Sequence, residues 1–295
     1  MILVIDNFYN GFLSDYLKNL KDKSVLTWEK RLKICIDVAH GLHYIHSQME
    51  DQKMIINRDI CSYNIGLDEN RRAKIVYFGD SVFLPPHKKN EALYLKWIGR
   101  KYNTDPEYRK TNKVKRESDV YGFGVILFEI LCGRLAYDPI YLKESDKGLA
   151  HVARRSFRTR TLEEMIDPII KEEIGENNFV LNRGPNKDSL HTFITIAHQC
   201  VAETQDQRPT MKVIVKELEK AVFFQVSHCI EDRAHHPDMH HIVTELENAL
   251  ELEKALEFQL RHENIVRPFF LGKLVFNKPT FAQLVNNNPT YRIGI

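Results

Sequence analysis

The sequence predicts a mainly helical chain of the α+β class, with one small β-hairpin and an added C-terminal helix. Three observations carry this. Apolar residues recur at helical spacing over 28–42 and again over 211–221. A third segment, "ESDVYGFGVILFEILCG", is apolar almost all round, the mark of a buried helix. Only "NIGL" and "AKIVYF", on either side of the polar "DENRR", read as strands, and they form a hairpin.

In chain order, the first strong helix follows Thr27, a good N-cap, with its stripe at Trp28, Leu32, Cys35, Ala39 and Leu42. The hairpin comes next. Residues 81–115 and 134–147, rich in charge and carrying Pro85-Pro86, are expected to be loops. Between them runs the buried helix, opened by Ser118 and Asp119 and closed by Gly133. The next stripe is Met211, Ile214, Val215, Leu218 and Ala221. It belongs to "RPTMKVIVKELEKAV", which "HPDMHHIVTELENAL" repeats at an offset of 28 residues, pairing Pro209 with Pro237 and Glu217 with Glu245. Two copies are too few for a solenoid, so a locally duplicated helix is expected, continuing as a stripe at Leu246, Ala249, Leu252, Leu256 and Leu260. The bland reading is an extra helix packed on the domain; the sharper one is a partner-binding helix. The expected division is 1–225 for the main lobe, 226–262 for the duplicated helical segment and 263–295 for an irregular tail.

Composition narrows the function classes. At 295 residues and 43% apolar content, the chain is long enough for a sizeable core. A net charge of +2 is too small to argue for a nucleic-acid partner, and none is expected. Five scattered cysteines argue against a disulfide scaffold and for a reducing compartment. The first residues lack a basic flank and meet Asp6 early, unlike a signal peptide. The most apolar run is too short for a membrane span and contains Glu129. A cytoplasmic placement is therefore expected. His228, His235, His236, His240 and His241 cluster, but Pro237 interrupts the only zinc-like spacing, so they read as surface histidines.

The stretch "MIINRDICSYNIGLDENRRAKIVYFGDS" joins an Arg-Asp pair, Arg58-Asp59, to Asn64 five residues on, and then to an aromatic-Phe-Gly turn at Tyr77. Together with "LVIDNFYNGFL", "DPEY", "SDVYGFGVILFEIL" and "QRPTM", in that order, it resembles the large lobe of plant receptor-like protein kinases, nearest the malectin-type receptor kinases. The resemblance runs from Met1 to about Gln225 and implies a protein-kinase-like C-terminal lobe, with ATP and Mg²⁺ as cofactors. It places Asp59 at the catalytic base and Asn64 at a metal-holding position. The backbone of Asp6 and Phe8 falls at the nucleotide-binding hinge. Glu107 and Arg208 match the family's buried ion pair, and Asp119 matches the residue that holds the catalytic-loop backbone. Arg58 matches an arginine that can pair with a phosphate on the activation segment.

The departures matter as much. Tyr77 stands where the metal-loop Asp belongs, and a protonated phenol is a poor Mg²⁺ ligand. Cys61 replaces the lysine that meets the transferring phosphate, Gly66 the leucine beneath adenine, and Asn57 the histidine against the metal loop. Arg100 and Tyr102 stand where the family has a hydroxyl residue and a glycine. The matching stretches begin at the hinge, with no Gly-rich loop or strand lysine before it. The expectation is a catalytically inactive, pseudokinase-like module in which Asp59 is idle, acting on protein partners such as another kinase or a receptor. An active Ser/Thr kinase whose N-terminal lobe lies outside this chain, and a decayed fragment without function, are the alternatives.

Overall fold

The computed structural model describes residues 11–18, 26–49, 53–85, 87, 91–172 and 185–234. The chain enters with α1 (Leu13–Lys18) and the long α2 (Trp28–His43), which relaxes into a wider turn over Tyr44–Gln48. Thr27 caps α2 with a long bond from the Lys30 N–H, at 3.4 Å. Trp28 anchors the helix start. Its ring meets Phe193 edge-on at 5.0 Å, and its Nε1 donates to Ser189 Oγ at 3.1 Å.

The strands are short. β1 (Met54–Ile56) pairs antiparallel with β4 (Val82–Leu84), with Met54 opposite Leu84. Between them β2 (Ile65–Leu67) and β3 (Ala73–Ile75) form the expected hairpin, with Ile65 opposite Ile75. β5 (Leu93–Tyr94) and β6 (Lys113–Val114) make the last pair, flanking α3 (Pro106–Thr111). The buried helix is α4 (Arg116–Cys132), and Gly133 ends it in the left-handed region at φ 62°. A Cβ on Gly133 would lie 2.1 Å from an oxygen of Asp167, so any other residue would have to displace the Arg31–Asp167 pair. After it come α5 (Pro139–Glu144), α6 (Leu149–Thr159), α7 (Pro168–Glu172), α8 (Lys187–Cys200) and α9 (Met211–Ala234).

Helix α4 lies at the centre, packed by α2, α6 and α8, and α9 closes over α2 and α8. Residues Val120 to Leu131 of α4 are all buried, which is why its sequence lacks a polar face. Arg31 of α2 crosses beneath the end of α4. It donates to the Ile130 carbonyl and pairs with Asp167 at 2.7 Å, both side chains being almost wholly buried.

Two expectations need correction. Residues 81–115 and 134–147 are not plain loops, because they fold into β4, β5, α3, β6 and α5. The strands have two or three residues each, too few for an alternating pattern to be legible. Both helices are announced by an Asp-Pro step. Asp105 and Asp138 accept the N–H groups of Glu107 and Ile140, with Pro106 and Pro139 at the first helical position. In addition, α9 runs past residue 225, the expected end of the lobe, to Ala234. Residues 235–295, with the repeated helix, the tail and most of the histidine cluster, lie outside the described residues.

The cap of α8 yields a direct test. Asn186 Oδ1 accepts from the N–H groups of Asp188 and Ser189 at 2.8 and 3.1 Å. Asn186→Ala is expected to cost about 1 kcal/mol of stability, read as a lower urea midpoint with an unchanged slope.

Candidate active site

The loop 57–64 leaves β1 and is hung from α4 by one carboxylate. Asp119, in the first turn of α4, accepts the Asn57 N–H at 2.7 Å and the Arg58 N–H at 2.8 Å. His46 Nε2 lies 2.9 Å from the same group, and both side chains are buried. Arg58 itself sits at φ 74°, a conformation that a long side chain adopts at a cost of about 1–3 kcal/mol and only where its surroundings hold it. Asn57 bonds outward on both sides. Its Oδ1 accepts from Asp59 N at 3.1 Å, and its Nδ2 donates to the Tyr77 carbonyl at 2.7 Å.

Asp59 and Asn64 come together. Asn64 Nδ2 donates to the Asp59 carbonyl and to Asp59 Oδ2, each at 2.8 Å. The third group there is Arg100. Its Nη1 reaches Asp59 Oδ2 at 3.3 Å and Cys61 Sγ at 3.1 Å. Its guanidinium lies 4.5 Å over the Tyr63 ring, which bonds through its hydroxyl to Tyr137. Gly99 permits this approach. It holds φ 88°, and a Cβ there would stand 2.9 Å from Asp59 Oδ1. Burial raises the Asp59 carboxyl above its ordinary range, while Asn64 and the Arg100 charge pull it back. Burial also pushes the Cys61 thiol up to about 12, so that sulfur is neither a thiolate nor a nucleophile at neutral pH.

In the 77–80 turn, the Tyr77 hydroxyl donates to Asp80 Oδ2 at 2.9 Å. The Asp80 carboxylate is thus already engaged in a hydrogen bond. Among the described residues no three His, Cys, Asp or Glu side chains are grouped to hold a metal ion. A hard dication needs several anionic or carbonyl oxygens, and a protonated phenol, one amide and a carboxylate already in a hydrogen bond do not fit it.

Arg58 is fully used within the fold. Nε and Nη2 donate to the Tyr108 hydroxyl at 3.1 and 2.7 Å, and further bonds reach the carbonyls of Asp80 at 3.0 Å and Lys96 at 2.9 Å. The guanidinium therefore ties down the 77–108 segment through a phenol and two carbonyls, with no phosphate required.

The ion pair expected between Glu107 and Arg208 is not the one formed. Arg208 Nη2 pairs with Asp105 Oδ1 at 2.7 Å, both side chains being fully buried. Glu107 instead accepts the Gln205 N–H at 2.7 Å and faces Lys113 at 3.5 Å. The cap position is the cause. Asp105 begins α3 with its carboxylate turned inward, where Ser118 Oγ and Gln205 Nε2 also donate to it. Glu107, two residues on, is turned toward β6.

Beneath the loop lies a group whose environment the sequence did not reveal. Glu129 is 1% exposed; its Oε1 accepts the Ala136 N–H at 2.8 Å, and its Oε2 has no hydrogen-bond partner among the described residues. Ser62 Oγ and Asn103 Nδ2, which face it, are likewise without partners in hydrogen-bonding geometry. Its one signal in the sequence is a lone charge inside an apolar helix. Asp6 and Phe8 fall outside the described residues.

A family model of protein tyrosine and serine/threonine kinases matches residues 1–218. A probable receptor-like protein kinase of Arabidopsis thaliana is 37% identical over 226 residues, covering 77% of this chain and 25% of that protein. The receptor-like protein kinase ANXUR2 of the same plant is 37% identical over 225 residues, covering 76% and 24%. HERK 1, another Arabidopsis thaliana receptor-like protein kinase, is 35% identical over 233 residues, covering 76% and 25%. The chain spans about a quarter of the length of these curated relatives.

Proposed function

Because the chain belongs to the protein kinase family, among the plant receptor-like kinases, we propose that it is a pseudokinase-like member that binds proteins without transferring phosphate. One observation carries this reading. The guanidinium of Arg100 rests on Asp59 and Cys61, where a kinase needs a substrate hydroxyl beside the base and a lysine beside the phosphate. Arg100 thus shares Asp59 Oδ2 with Asn64, on the carboxylate that a substrate hydroxyl would have to meet. The Tyr77–Asp80 hydrogen bond supports the same conclusion from the metal side.

Members of this family use ATP with Mg²⁺. The competing reading, an ATP-dependent Ser/Thr kinase, draws on Asp59 and Asn64, which keep their residue types and touch. No helix among the described residues is long and apolar enough to cross a membrane. A cytoplasmic placement beside a receptor or another kinase accords with the reading.

Thermal unfolding with ATP, with and without Mg²⁺, decides between the two. A site with a Kd of about 10 µM would, at about 1 mM ATP, add roughly 2.7 kcal/mol and raise Tm by several degrees. The expected result is no Mg²⁺-dependent shift. A Mg²⁺-dependent rise would mean that a metal–nucleotide site survives, and phosphoryl transfer by the chain that Asp59→Asn abolishes would then overturn the proposal.

A further inference from the structure

A cavity of about 360 Å³ opens where the 97–110 segment faces α4 and α6, away from Asp59. Lys101, Arg109, Lys110, Lys147 and Arg154 line it, against a single carboxylate, Asp146. Among the described residues, the ammonium groups of Lys101, Lys110 and Lys147 meet no carboxylate. Arg109 donates through Nη1 to the Lys101 carbonyl at 3.1 Å, and its guanidinium lies 5.4 Å over Trp97. Its Nε is buried without a hydrogen-bond partner among the described residues. Arg154 alone is well satisfied, donating to the Val201 carbonyl at 2.8 Å with Glu203 at 3.8 Å.

Like charges on one concave wall repel one another and concentrate positive potential in the space between them. Among the described residues, three of the five cations have no carboxylate in contact; Lys101 lies 5.1 Å over the Tyr102 ring instead. We infer that the cavity recognises a phosphorylated side chain on a segment of a partner protein.

A phosphate monoester carries close to two negative charges and three acceptor oxygens, which suits an arginine fork beside lysine point charges. With Asp146 opposing, the cationic excess favours such a dianion over a single carboxylate. The volume falls in the range of a small-ligand pocket, enough for one phosphorylated residue and part of its neighbour. Trp97, 36% exposed, and Tyr102 supply a surface on which that neighbour can lie. The chain as a whole carries a net charge of only +2, which is unlike a nucleic-acid footprint. The inference names a partner chemistry for the binding role proposed above and rests on that role. It is measured without nucleotide, so its failure is separate from that of the nucleotide titration.

The test titrates the full chain with a Trp-free degenerate phosphoserine peptide mixture, its unphosphorylated counterpart and inorganic phosphate, following tryptophan fluorescence. The chain has two tryptophans; Trp28 is 1% exposed in the core, so a change reports on Trp97. The phosphopeptides are expected to bind at least ~10-fold more tightly than either control, and more weakly as salt rises. Lys110→Ala/Lys147→Ala is expected to lose ~10-fold in affinity while keeping its Tm. Equal binding of the unphosphorylated mixture, or unchanged affinity in the double variant, would overturn the inference. Inorganic phosphate binding as tightly as the peptides would mean a free-anion site and overturn the protein-segment assignment.

Discussion

Arg208→Ala is expected to destabilise the protein by about 3–5 kcal/mol, whereas Glu107→Ala costs about 1 kcal/mol. The asymmetry follows from where each side chain ends. Arg208 is held by Asp105 at 2.7 Å, by the Glu117 carbonyl at 3.0 Å and by the Ala202 carbonyl at 3.0 Å, and it lies 4.9 Å over the Tyr121 ring. Its removal leaves the Asp105 carboxylate buried with no cation, and an uncompensated buried charge is the costly case. Glu107 gives up one backbone hydrogen bond and a contact with Lys113 that is partly open to water. Urea denaturation of the two variants measures the difference. Comparable losses would mean that Glu107, not Asp105, anchors the 95–111 segment to the last helices.

That example also marks how far the sequence could be read. Helix α2 and helix α4 were legible because one carries a stripe from Trp28 to Leu42 and the other is apolar on every side. The hairpin was legible because two apolar runs flank a polar turn at 68–72. Helix α8 has comparable signals in Asn186 and in the buried Phe193, Ile196 and Ala197. Helix α6 hides its buried face among basic residues, one of which, Arg154, is itself buried. Within the site, the residue types at 59, 61, 64 and 77 were visible, since chemistry attaches to type. What they touch was not. A sequence lists two carboxylates in "DPE" and does not say which one the fold turns inward. Nor can it show that Gly99, by lacking a Cβ, lets Arg100 come down on Asp59. Those facts belong to tertiary packing, and they decide what the motif can do.

The stability of the protein is expected to fall as pH rises from about 5 to 8, and Glu129 is the main cause. Burial raises its carboxyl from the usual 4.5 to about 7, against the lowering by the Ala136 N–H, by Ser62 and Asn103 facing it, and by the Arg100 charge. In the unfolded chain the group gives up its proton near 4.5; in the folded protein it holds that proton until about 7. Below the unfolded value both states are protonated and the group costs nothing. Between the two values the native state binds the extra proton, so stability declines with pH, and above 7 the loss is complete at roughly 3 kcal/mol. Asp59, also raised by burial, acts in the same direction. Glu129→Gln isolates the effect, because it keeps an oxygen for the Ala136 N–H and carries no charge at any pH. Urea midpoints at pH 5 and pH 8 should show wild type losing roughly 3 kcal/mol more than the variant across that window, with the variant the more stable protein at pH 8. Parallel pH curves for the two proteins would mean that water or a rearranged side chain already neutralises the cost of burying Glu129. The position of that carboxylate makes the result matter for the site. Asn103 and Ser62 flank it from the segment that carries Arg100 and from the loop that carries Asp59. Ionising Glu129 strains the packing beneath both loops at once, so the pH at which the fold weakens is also the pH at which the Arg100–Asp59 contact has least support from below.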